Sequence, residues 1–518
     1  MKRLYLTLFI CVFSFIIYNN ATAQNSNICG WKPLKNNIYL PKNGSALFTK
    51  DAAGLPPIKD NGAVYTLPVV VHVITTGDAV GSPDNPTNAA INAMIKNLNN
   101  AFRKKGTSFG GADMMIQFKL AIKSPTCATT TGIDRVNGSG VPNYVSGGIT
   151  NINYAGSADE VTVKGLSRWP NTDYINIWIV NKINGSVTNP GGYAYFPELN
   201  SALTDGLVLN ASVVDGTNKT IVHEMGHFFS LYHIFYDDAF ETTCANNIDC
   251  TNQGDKVCDT EVELNVPCST ATNSCNGSMP FAIADASKNY TVLNNYMGYT
   301  NCQWMFTEGQ KTRVRAALFA FRNGLLTSKA LTAPDGLSPV VACIPTVTYG
   351  LSPYYGVQKV EFNTLSVYSN SSQADGSNYI DRTCNQSTSV TQGNKYTITI
   401  TGSYGNPHRY AVYIDYNNDG DFADANETVL TAYSDTARKK ITIPLTGVVT
   451  GMPLRMRVIA DNPALPAPGA CQLHGSAAEG AGQAEDYSVI VMPAQLIAYK
   501  NSKKNSTMKN NLTAIAKK

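Results

Sequence analysis

The hydrophobic pattern of the chain changes character near residue 340. Before that point, an apolar β-branched run at 67–74 is followed by a segment, 91–102, whose apolar residues recur every three or four positions. Two further runs, 115–122 and 174–180, alternate or stay apolar over strand-like lengths. Such runs predict strands, and the segment between them predicts a helix with one buried face. The first domain is therefore expected to be α/β (α+β).

Beyond residue 340 the helical period disappears. Short segments alternate between apolar and polar side chains, at 396–400, 410–414, 440–443 and 454–458. Strands of this length and spacing are typical of a β-sandwich. The second domain is therefore expected to be all-β.

The N-terminus has the three parts of a secretory signal peptide. Lys2 and Arg3 provide a positive start, 4–18 is apolar, and 21–23 offers small residues for cleavage. No later stretch is long and apolar enough to span a bilayer. We therefore expect a soluble, exported protein, secreted or associated with the cell surface.

These patterns predict six regions along the chain. They are a signal peptide at 1–23, a pro-segment at 24–64, the first domain at 65–328, a linker at 329–339, the β-sandwich at 340–493 and a basic tail at 494–518.

Charge argues against two classes of partner. The formal net charge is +3, and charged residues make up 15% of the chain. A nearly balanced charge indicates neither a nucleic acid nor a membrane surface as the partner.

The cysteine count is odd once the signal peptide is set aside. Of the 12 cysteines, Cys11 lies in that peptide, so eleven remain. Most should form disulfides in an exported protein. Cys29 stands alone near the mature N-terminus, and setting it aside leaves an even number.

The candidate chemistry lies in an H-E-x-x-H sequence with a third histidine six residues on. On a helix, His223 and His227 project from one face and can reach a single metal ion. His233 would complete three ligands and leave one tetrahedral position open, as in catalytic zinc sites. Glu224 lies beside them without ligating. The alternative is a chance polar run on a solvated helix, but the apolar flanks favour burial.

With this motif and the downstream sequence 294–299, the first domain resembles the metzincin metalloproteases, and within them the pappalysin (cytophagalysin-type) family. The resemblance covers roughly 67–324. It implies a zinc endopeptidase acting on protein or peptide substrates. Among the matching segments are 254–260 and 307–310, the second of which has the form of a helix capping box.

The resemblance assigns a role to each site residue. His223, His227 and His233 hold Zn²⁺, and Glu224 activates the zinc-bound water by accepting its proton. Met297 matches the Met-turn beneath the metal, a role compatible with ordinary core packing. Tyr299 matches a tyrosine that stabilises the tetrahedral oxyanion. A strand just upstream of the zinc helix, placed at 206–210, is expected to pair with extended substrates.

Two departures from the family pattern matter. Ser230 replaces a glycine where the chain leaves the zinc helix, and a left-handed backbone there would cost about 1–2 kcal/mol. The segment 298–301 contains no acidic residue, whereas relatives that prefer arginine carry an aspartate there. We therefore expect a more neutral subsite.

The pro-segment resembles a cysteine switch. Its Cys29-Gly30 sequence could place a thiolate on the fourth zinc position and keep the enzyme latent. The alternative is a disulfide from Cys29, with Cys127 as a possible partner. Elsewhere the family suggests two disulfides, Cys250–Cys275 and Cys268–Cys302, and we expect Cys244–Cys258 as a further pairing.

Calcium is expected at two places. Asp255 and Asp259 lie in a sequence that resembles a calcium site of the family, and oxygen ligands suit this hard cation. The alternative for both residues is surface solvation.

The second domain resembles the GEVED-type β-sandwich module, on the segments 342–345, 413–422 and 482–487. One stretch in it has the ligand spacing of a calcium loop but lacks the glutamate at the twelfth position, so a plain turn is the alternative. The residues concerned are Asp415, Asn417, Asp419 and Asp421.

Three functions follow as hypotheses. The leading one is a secreted zinc endopeptidase, latent through its N-terminal segment. The alternative is a secreted binding or adhesion protein whose sandwich recognises a surface or matrix ligand and whose protease domain is inactive. A zinc hydrolase acting on non-protein amides is the third. The complete set of histidines with Glu224 and Met297 favours the first.

Overall fold

The structure is a computed structural model of the 518-residue chain. The residues it describes are 62–105, 111–197, 201–235, 244, 248–264, 266–267, 270, 272–273, 275–277, 292–334, 336–463 and 468–494. The predicted signal peptide, residues 24–61 of the predicted pro-segment with Cys29, and residues 495–518 of the predicted tail lie outside these residues.

The first domain is built on one mixed sheet. Its strands are β1 (Tyr65–Thr75), β2 (Ile116–Leu120), β3 (Ile133–Asn137), β6 (Ile175–Val180), β7 (Gly192–Ala194) and β8 (Leu207–Asn210), with a separate short pair, β4 (Ile149–Thr150) and β5 (Ala158–Asp159). The sheet order is β2-β1-β6-β8-β7, and β3 also pairs with β1. The runs at 67–74, 115–122 and 174–180 thus form strands as predicted.

Seven α-helices lie among the described residues. They are α1 (Asn88–Phe102), α2 (Tyr144–Gly147), α3 (Glu160–Gly165), α4 (Thr220–Phe228), α5 (Glu308–Phe321), α6 (Gly324–Thr327) and, in the second domain, α7 (Ser372–Asp375). The main core forms where α1 and α4 pack on one face of the sheet. The predicted capping box at the start of α5 is confirmed, since Thr307 and Gln310 each accept a backbone N–H of the other.

The strand at the edge of the sheet differs from the predicted one. β8, which covers the predicted 206–210, pairs in parallel with β6 and antiparallel with β7, so both of its edges are used. The chain makes β7 first and places it outside β8. The substrate-binding edge was therefore wrongly assigned, because the order of strands in a sheet does not follow from their order in the sequence.

The second domain is strand-rich, as predicted. Its strands are β9 (Thr346–Val347), β10 (Val357–Phe362), β11 (Leu365–Tyr368), β12 (Tyr379–Asp381), β13 (Ser387–Thr391), β14 (Lys395–Gly402), β15 (His408–Ile414), β16 (Thr428–Ser434), β17 (Thr436–Thr442), β18 (Pro453–Asp461), β19 (Gln472–Leu473), β20 (Gly475–Ser476), β21 (Gly480–Ala481) and β22 (Gln483–Met492). A sheet ordered β11-β10-β14-β17 and another ordered β12-β22-β18-β15-β16 share one apolar core.

The sandwich contacts the first domain through a docking loop, residues 382–386, between β12 and β13. Gln386 donates to the buried carboxylate of Asp173, and Asn385 Nδ2 donates to Tyr174 Oη at 2.7 Å. A disulfide joins Cys127 of the first domain to Cys384 of the loop. The two domains are therefore covalently joined at this contact.

A second contact between the domains involves the chain that follows the edge strand. Ser201 Oγ donates to the carbonyl of Ala374 at 2.6 Å, and Ala202 N donates to the same oxygen at 2.8 Å. Because residues 201–202 lie between β7 and β8, the sandwich holds the connection between these two strands.

Two of the predicted disulfides are wrong. Cys250 pairs with Cys258 instead of Cys275, and Cys244 pairs with Cys275 instead of Cys258. Backbone hydrogen bonds turn the chain back on itself between 249 and 256, which brings Cys250 to Cys258 within eight residues. Spacing alone cannot reveal such a turn.

The remaining cysteines give mixed outcomes. Cys302 is disulfide-bonded, but Cys268 lies outside the described residues, so the Cys268–Cys302 pairing stays a prediction. Cys343 pairs with Cys471 within the sandwich.

In the part of the chain that is described, none of the helices combines the length and apolar character needed to cross a bilayer.

Candidate metal centre

The helix α4 carries two of the three candidate ligands on one face. His223 and His227 are four residues apart, and the whole helix is buried. The helix ends at Phe228, and Ser230 adopts φ 67°, so the backbone is left-handed where the sequence predicted it. This conformation costs a non-glycine residue about 1–2 kcal/mol. It reverses the chain so that His233 returns to the helix.

The structure brings the three imidazoles together. The Nε2 atoms of His223 and His233 lie 3.1 and 3.0 Å from Nε2 of His227. All three rings are at least 95% buried. Three nitrogen donors at such separations fit the ligand set of a catalytic zinc ion.

Two carbonyl groups set the protonation of the rings. His223 Nδ1 lies 2.7 Å from the carbonyl oxygen of Tyr296, and His227 Nδ1 lies 2.7 Å from that of Leu231. Because a carbonyl oxygen can only accept, each Nδ1 carries the proton and each Nε2 presents a lone pair. Burial lowers the pKa of His223 to about 3, and lowers that of His227 well below its usual value. Both rings are therefore neutral, as metal ligands must be.

These facing lone pairs provide the test of fit for a metal. Two neutral Nε2 atoms 3.1 Å apart repel each other unless a cation lies between their lone pairs. The residues therefore suit a bound cation better than an empty core.

Met297 lies directly against the helix, as the Met-turn prediction requires. It is fully buried, and a Cβ built on Gly226 would come 2.4 Å from its sulfur. Only glycine at 226 lets the turn approach so closely. Asn295 fixes the turn by accepting from Met297 N at 2.9 Å, while its amide pairs with that of Gln310.

Tyr299 and Glu224 complete the surroundings of the histidines. The Tyr299 hydroxyl lies 3.1 Å from His233 Nε2, so the phenol reaches the same point as the ligands. Glu224 is fully buried next to His223, and both Glu224 and Tyr299 line one cavity. Phe196, two residues beyond β7, packs on the ring of His227 with centroids 5.8 Å apart. This contact brings the edge strand close to the centre.

The predicted calcium residues of the first domain separate into two environments. Asp259 accepts from Thr307 Oγ1 at 2.7 Å and from Gly309 N at 2.8 Å, and so caps the start of α5. Asp255 is buried and accepts from Val257 N and Thr260 Oγ1.

Sequence reasoning missed a third carboxylate in this region. Glu263 is 1% exposed, and its Oε2 has no hydrogen-bond partner among the described residues. Burial raises the pKa of Asp255 to about 7, and burial together with Asp255 raises that of Glu263 to about 8. A third acidic side chain four residues after Asp259 was the available signal.

The candidate calcium loop of the sandwich largely satisfies itself. Asp415 accepts from the backbone N–H groups of Asp419 and Gly420, and Asn417 donates to the carboxylates of Asp419 and Asp424. The carboxylates of Asp419, Asp421 and Asp424 lie within 4.8 Å of one another, and all three residues are exposed. These hydrogen bonds are also those of a plain turn, so both interpretations remain.

Comparison with known proteins finds two family matches along the chain. Residues 158–319 match the peptidase family whose description reads pregnancy-associated plasma protein-A, and residues 409–490 match the GEVED domain. An extracellular metalloprotease of Arthroderma otae is 27% identical over 301 residues, which are 55% of this chain and 90% of that protein. One of Arthroderma benhamiae is 27% identical over 322 residues, covering 59% and 94%.

A solved structure, mature mirolysin of Tannerella forsythia with a cleaved peptide, is 27% identical with a TM-score of 0.41, and covers 53% of this chain and 99% of that one. The relatives are named extracellular, which agrees with the expected export. The predicted resemblance and fold class are confirmed. The match over residues 158–319 agrees with the expected resemblance to the pappalysin family, and the match over residues 409–490 agrees with the expected GEVED module.

Proposed function

We propose that this protein is a secreted zinc endopeptidase. The observation that carries the proposal is the cluster of three buried histidines, in which two Nδ1–H groups are held by carbonyl oxygens and the Nε2 atoms face one another at 3.0–3.1 Å. His223, His227 and His233 would hold the ion. When bound, zinc supplies a Lewis acid that lowers the pKa of a coordinated water toward neutrality and polarises the peptide carbonyl.

Glu224 is the proposed general base and acid. Glu224 is not one of the three metal ligands. It lies one residue from His223 and lines the same cavity. In this role its carboxylate accepts a proton from the attacking water and delivers it to the nitrogen of the leaving amine. The peptide bond is hydrolysed with no covalent link to the enzyme.

Tyr299 is the proposed donor to the oxyanion. Its hydroxyl is 3.1 Å from His233 Nε2, close enough to the ligand cluster to donate to the oxygen of the tetrahedral carbon. The edge strand β7 offers main-chain groups to an extended substrate, which would pair with it antiparallel and run past the histidines.

Latency through Cys29 forms part of the proposal. The alternative partner considered for Cys29, Cys127, is bonded to Cys384. This pairing supports a free thiol at Cys29, which can ligate the ion as a thiolate. We expect the Cys29→Ala variant to hydrolyse peptides without removal of residues 24–64, whereas the unaltered precursor does not.

The experiment compares peptide hydrolysis by the secreted protein and by its Glu224→Ala variant, with Glu308→Ala as a matched control on an exposed site. We expect Glu224→Ala to lower kcat by about 10²–10⁴-fold while the zinc content stays at one ion per chain. A chelator should abolish activity, and zinc should restore it. Folded, zinc-loaded protein that cleaves neither peptides nor denatured proteins would contradict the proposal.

Calcium in the first domain is a second part of the proposal. Asp255 and Glu263 are buried carboxyls without an ion pair among the described residues, and Glu263 Oε2 has no hydrogen bond there. A Ca²⁺ ion would remove the cost of ionising them in the interior. We expect millimolar calcium to raise the Tm of the protein, and Glu263→Gln to remove most of that rise.

Asp419→Asn is the control for the sandwich loop, where Asp415, Asn417, Asp419 and Asp421 stay candidate ligands. If this variant, and not Glu263→Gln, loses the response, calcium binds in the sandwich. A Tm that does not respond to calcium in any variant contradicts both sites.

A further inference from the structure

A cavity of about 240 Å³ opens beside Glu224, between the start of α4 and the chain that follows the Met-turn. Its volume exceeds that of several water molecules, so it can admit a side chain of any type, and its selectivity must come from its chemistry. The residues lining it are Thr217, Asn218, Lys219, Thr220, His223, Glu224, Gly298, Tyr299, Thr300, Asn301 and Gln303.

Charge in this lining is unevenly distributed. Among the lining residues, Glu224 is the single carboxylate, and it lies beside the metal ligand His223. Lys219 is the single lysine or arginine, at the residue that precedes α4. The wall that Lys219 contributes therefore carries a positive charge.

Lys219 is fixed in place yet incompletely satisfied. Its Nζ donates to Asn97 Oδ1 at 3.1 Å, and Asn97 Nδ2 in turn donates to the carbonyl of Asn218 at 2.7 Å. An ammonium group has three N–H donors, so two remain for a ligand or water. Among the described residues no carboxylate lies within ion-pair distance of it. Partial burial lowers the pKa of Lys219, and the more distant Asp215 opposes this.

Asp215 is itself engaged elsewhere. Its Oδ1 accepts from the backbone N–H groups of Thr217 and Asn218, each at 2.7 Å, which holds the turn before α4. The carboxylate therefore organises this turn and does not neutralise the ammonium by direct contact.

A second donor in the lining has no partner. Thr220 is 6% exposed, and its Oγ1 makes no hydrogen bond with any described residue. Thr220 also begins α4, where the helix dipole is positive. The ammonium, the unpaired hydroxyl and the helix start all favour a negative group.

We infer that Lys219 and Thr220 make this cavity a subsite for an acidic side chain, so that the enzyme prefers peptides with aspartate or glutamate next to the scissile bond. This inference rests on the proposed endopeptidase function. The cavity borders Glu224 and Tyr299, so the side chain that fills it belongs to a residue flanking the cleaved bond. A guanidinium or ammonium in the same place would meet Lys219 as a like charge.

The inference goes beyond what the sequence predicted. The segment 298–301 contains no acidic residue, which indicated a neutral subsite. That segment forms only one wall of the cavity. Lys219 lies on the other wall, four residues before His223, which becomes evident only when both segments line the same cavity.

The test measures kcat/KM for peptides that differ at one position flanking the scissile bond, carrying Glu, Gln, Leu or Arg, with each flanking position varied in turn. We expect the secreted protein to favour Glu over Arg by at least about tenfold at one of the two positions, mainly through KM, because the interaction is made on binding. Gln should fall between them. Equal rates, or a preference for Arg, would overturn the inference.

Variants assign the preference to named residues. Lys219→Arg should retain it, Lys219→Met should remove it while leaving the Leu peptide cleaved, and Lys219→Glu should reverse it. Thr220→Val should weaken it about threefold. Lys439→Glu, the same charge change on a strand of the sandwich, should leave it unaltered. A preference that survives Lys219→Met in folded, zinc-loaded protein overturns the inference.

The outcome distinguishes the two levels of proposal. Chelator-sensitive cleavage without acidic preference retains the endopeptidase and removes the subsite. No cleavage of any peptide by zinc-loaded protein overturns both.

Discussion

Two buried polar clusters, one in each domain, differ in how their groups are matched. In the protease domain, the Nε2 atoms of His223, His227 and His233 face one another at 3.0–3.1 Å, an arrangement that suits a bound cation. In the sandwich, Arg455 and Arg457 both bind the carboxylate of Asp486 at 2.7 Å, so the buried charges are matched.

This difference separates function from architecture. A buried cluster whose charges and hydrogen bonds are matched within the chain supports the fold. A buried cluster whose lone pairs face one another needs a bound ion from outside the chain. The acidic residues of the GEVED segment belong to the first kind, since Glu485 binds Arg382 at 2.7 Å and Asp486 binds two arginines. They act as internal counter-ions and not as ligands for a partner.

The largest effect on activity is expected from removing one histidine of the metal centre. His227→Ala removes the central ligand, so we expect loss of stoichiometric zinc and at least about 10³-fold loss of kcat/KM. The control is His474→Ala in the sandwich. Measuring zinc content beside peptide hydrolysis checks this prediction, and a variant that keeps both would contradict the assignment of the centre.

Removing Asp486 from the ion-pair cluster of the sandwich should lower stability and not activity. Asp486→Ala leaves Arg457 buried without its carboxylate and leaves Arg455 with Asp381 alone, which costs about 3–5 kcal/mol. Denaturant unfolding measures the loss. Zinc content and activity per folded molecule should stay unchanged, and a selective loss of activity would show that the sandwich network contributes to the reaction.

Tyr299→Phe sharpens the comparison within the active centre. Removal of the hydroxyl deprives the oxyanion of a donor, so we expect kcat to fall by about 10²–10³-fold, equivalent to about 2.7–4 kcal/mol, with KM little changed. Tyr404→Phe, on an exposed tyrosine of the sandwich, is the control. A rise in KM with kcat unchanged would instead assign Tyr299 to substrate binding.

Asp173 provides a third test, because Arg382 and Gln386 only partly offset the cost of burying its charge. Burial raises the pKa of this carboxyl from 3.8 to about 6, while Arg382 and the hydrogen bond from Gln386 lower it and Glu485 raises it. Because the folded pKa is the higher one, its contribution is full below about pH 4 and is lost as pH rises through 6.

The corresponding variant is Asp173→Asn, which keeps the acceptor for Gln386. We expect it to be more stable than the natural protein at pH 7.5, by at most about 3 kcal/mol, and equal to it at pH 4. Denaturant unfolding at the two pH values checks this. A difference that is the same at both values contradicts the raised pKa.

The sequence was most informative where spacing itself determines geometry. The positions of His223 and His227 on one helical turn, the capping box at Thr307 and the alternating strands all follow from local periodicity. The family resemblance, in which a glycine stands at position 230, raised the question of a left-handed backbone there, and the structure has φ 67° at Ser230.

What the sequence did not predict depends on contacts between distant segments. The edge position of β7, the exchange of partners among Cys244, Cys250, Cys258 and Cys275, and the burial of Glu263 all arise from chain reversals without a period of their own. The positive wall at Lys219 is of the same kind, because a cavity is formed by residues that are neighbours only after folding.

The disulfide between Cys127 and Cys384 joins residues with a sequence separation of 257. Any single cut between these positions, including one in the connection to the sandwich, leaves two fragments that stay covalently linked. Such nicks would leave the fragments joined until a reductant is added. The enclosed stretch contains all three histidines, so a nicked molecule retains every piece of its active centre.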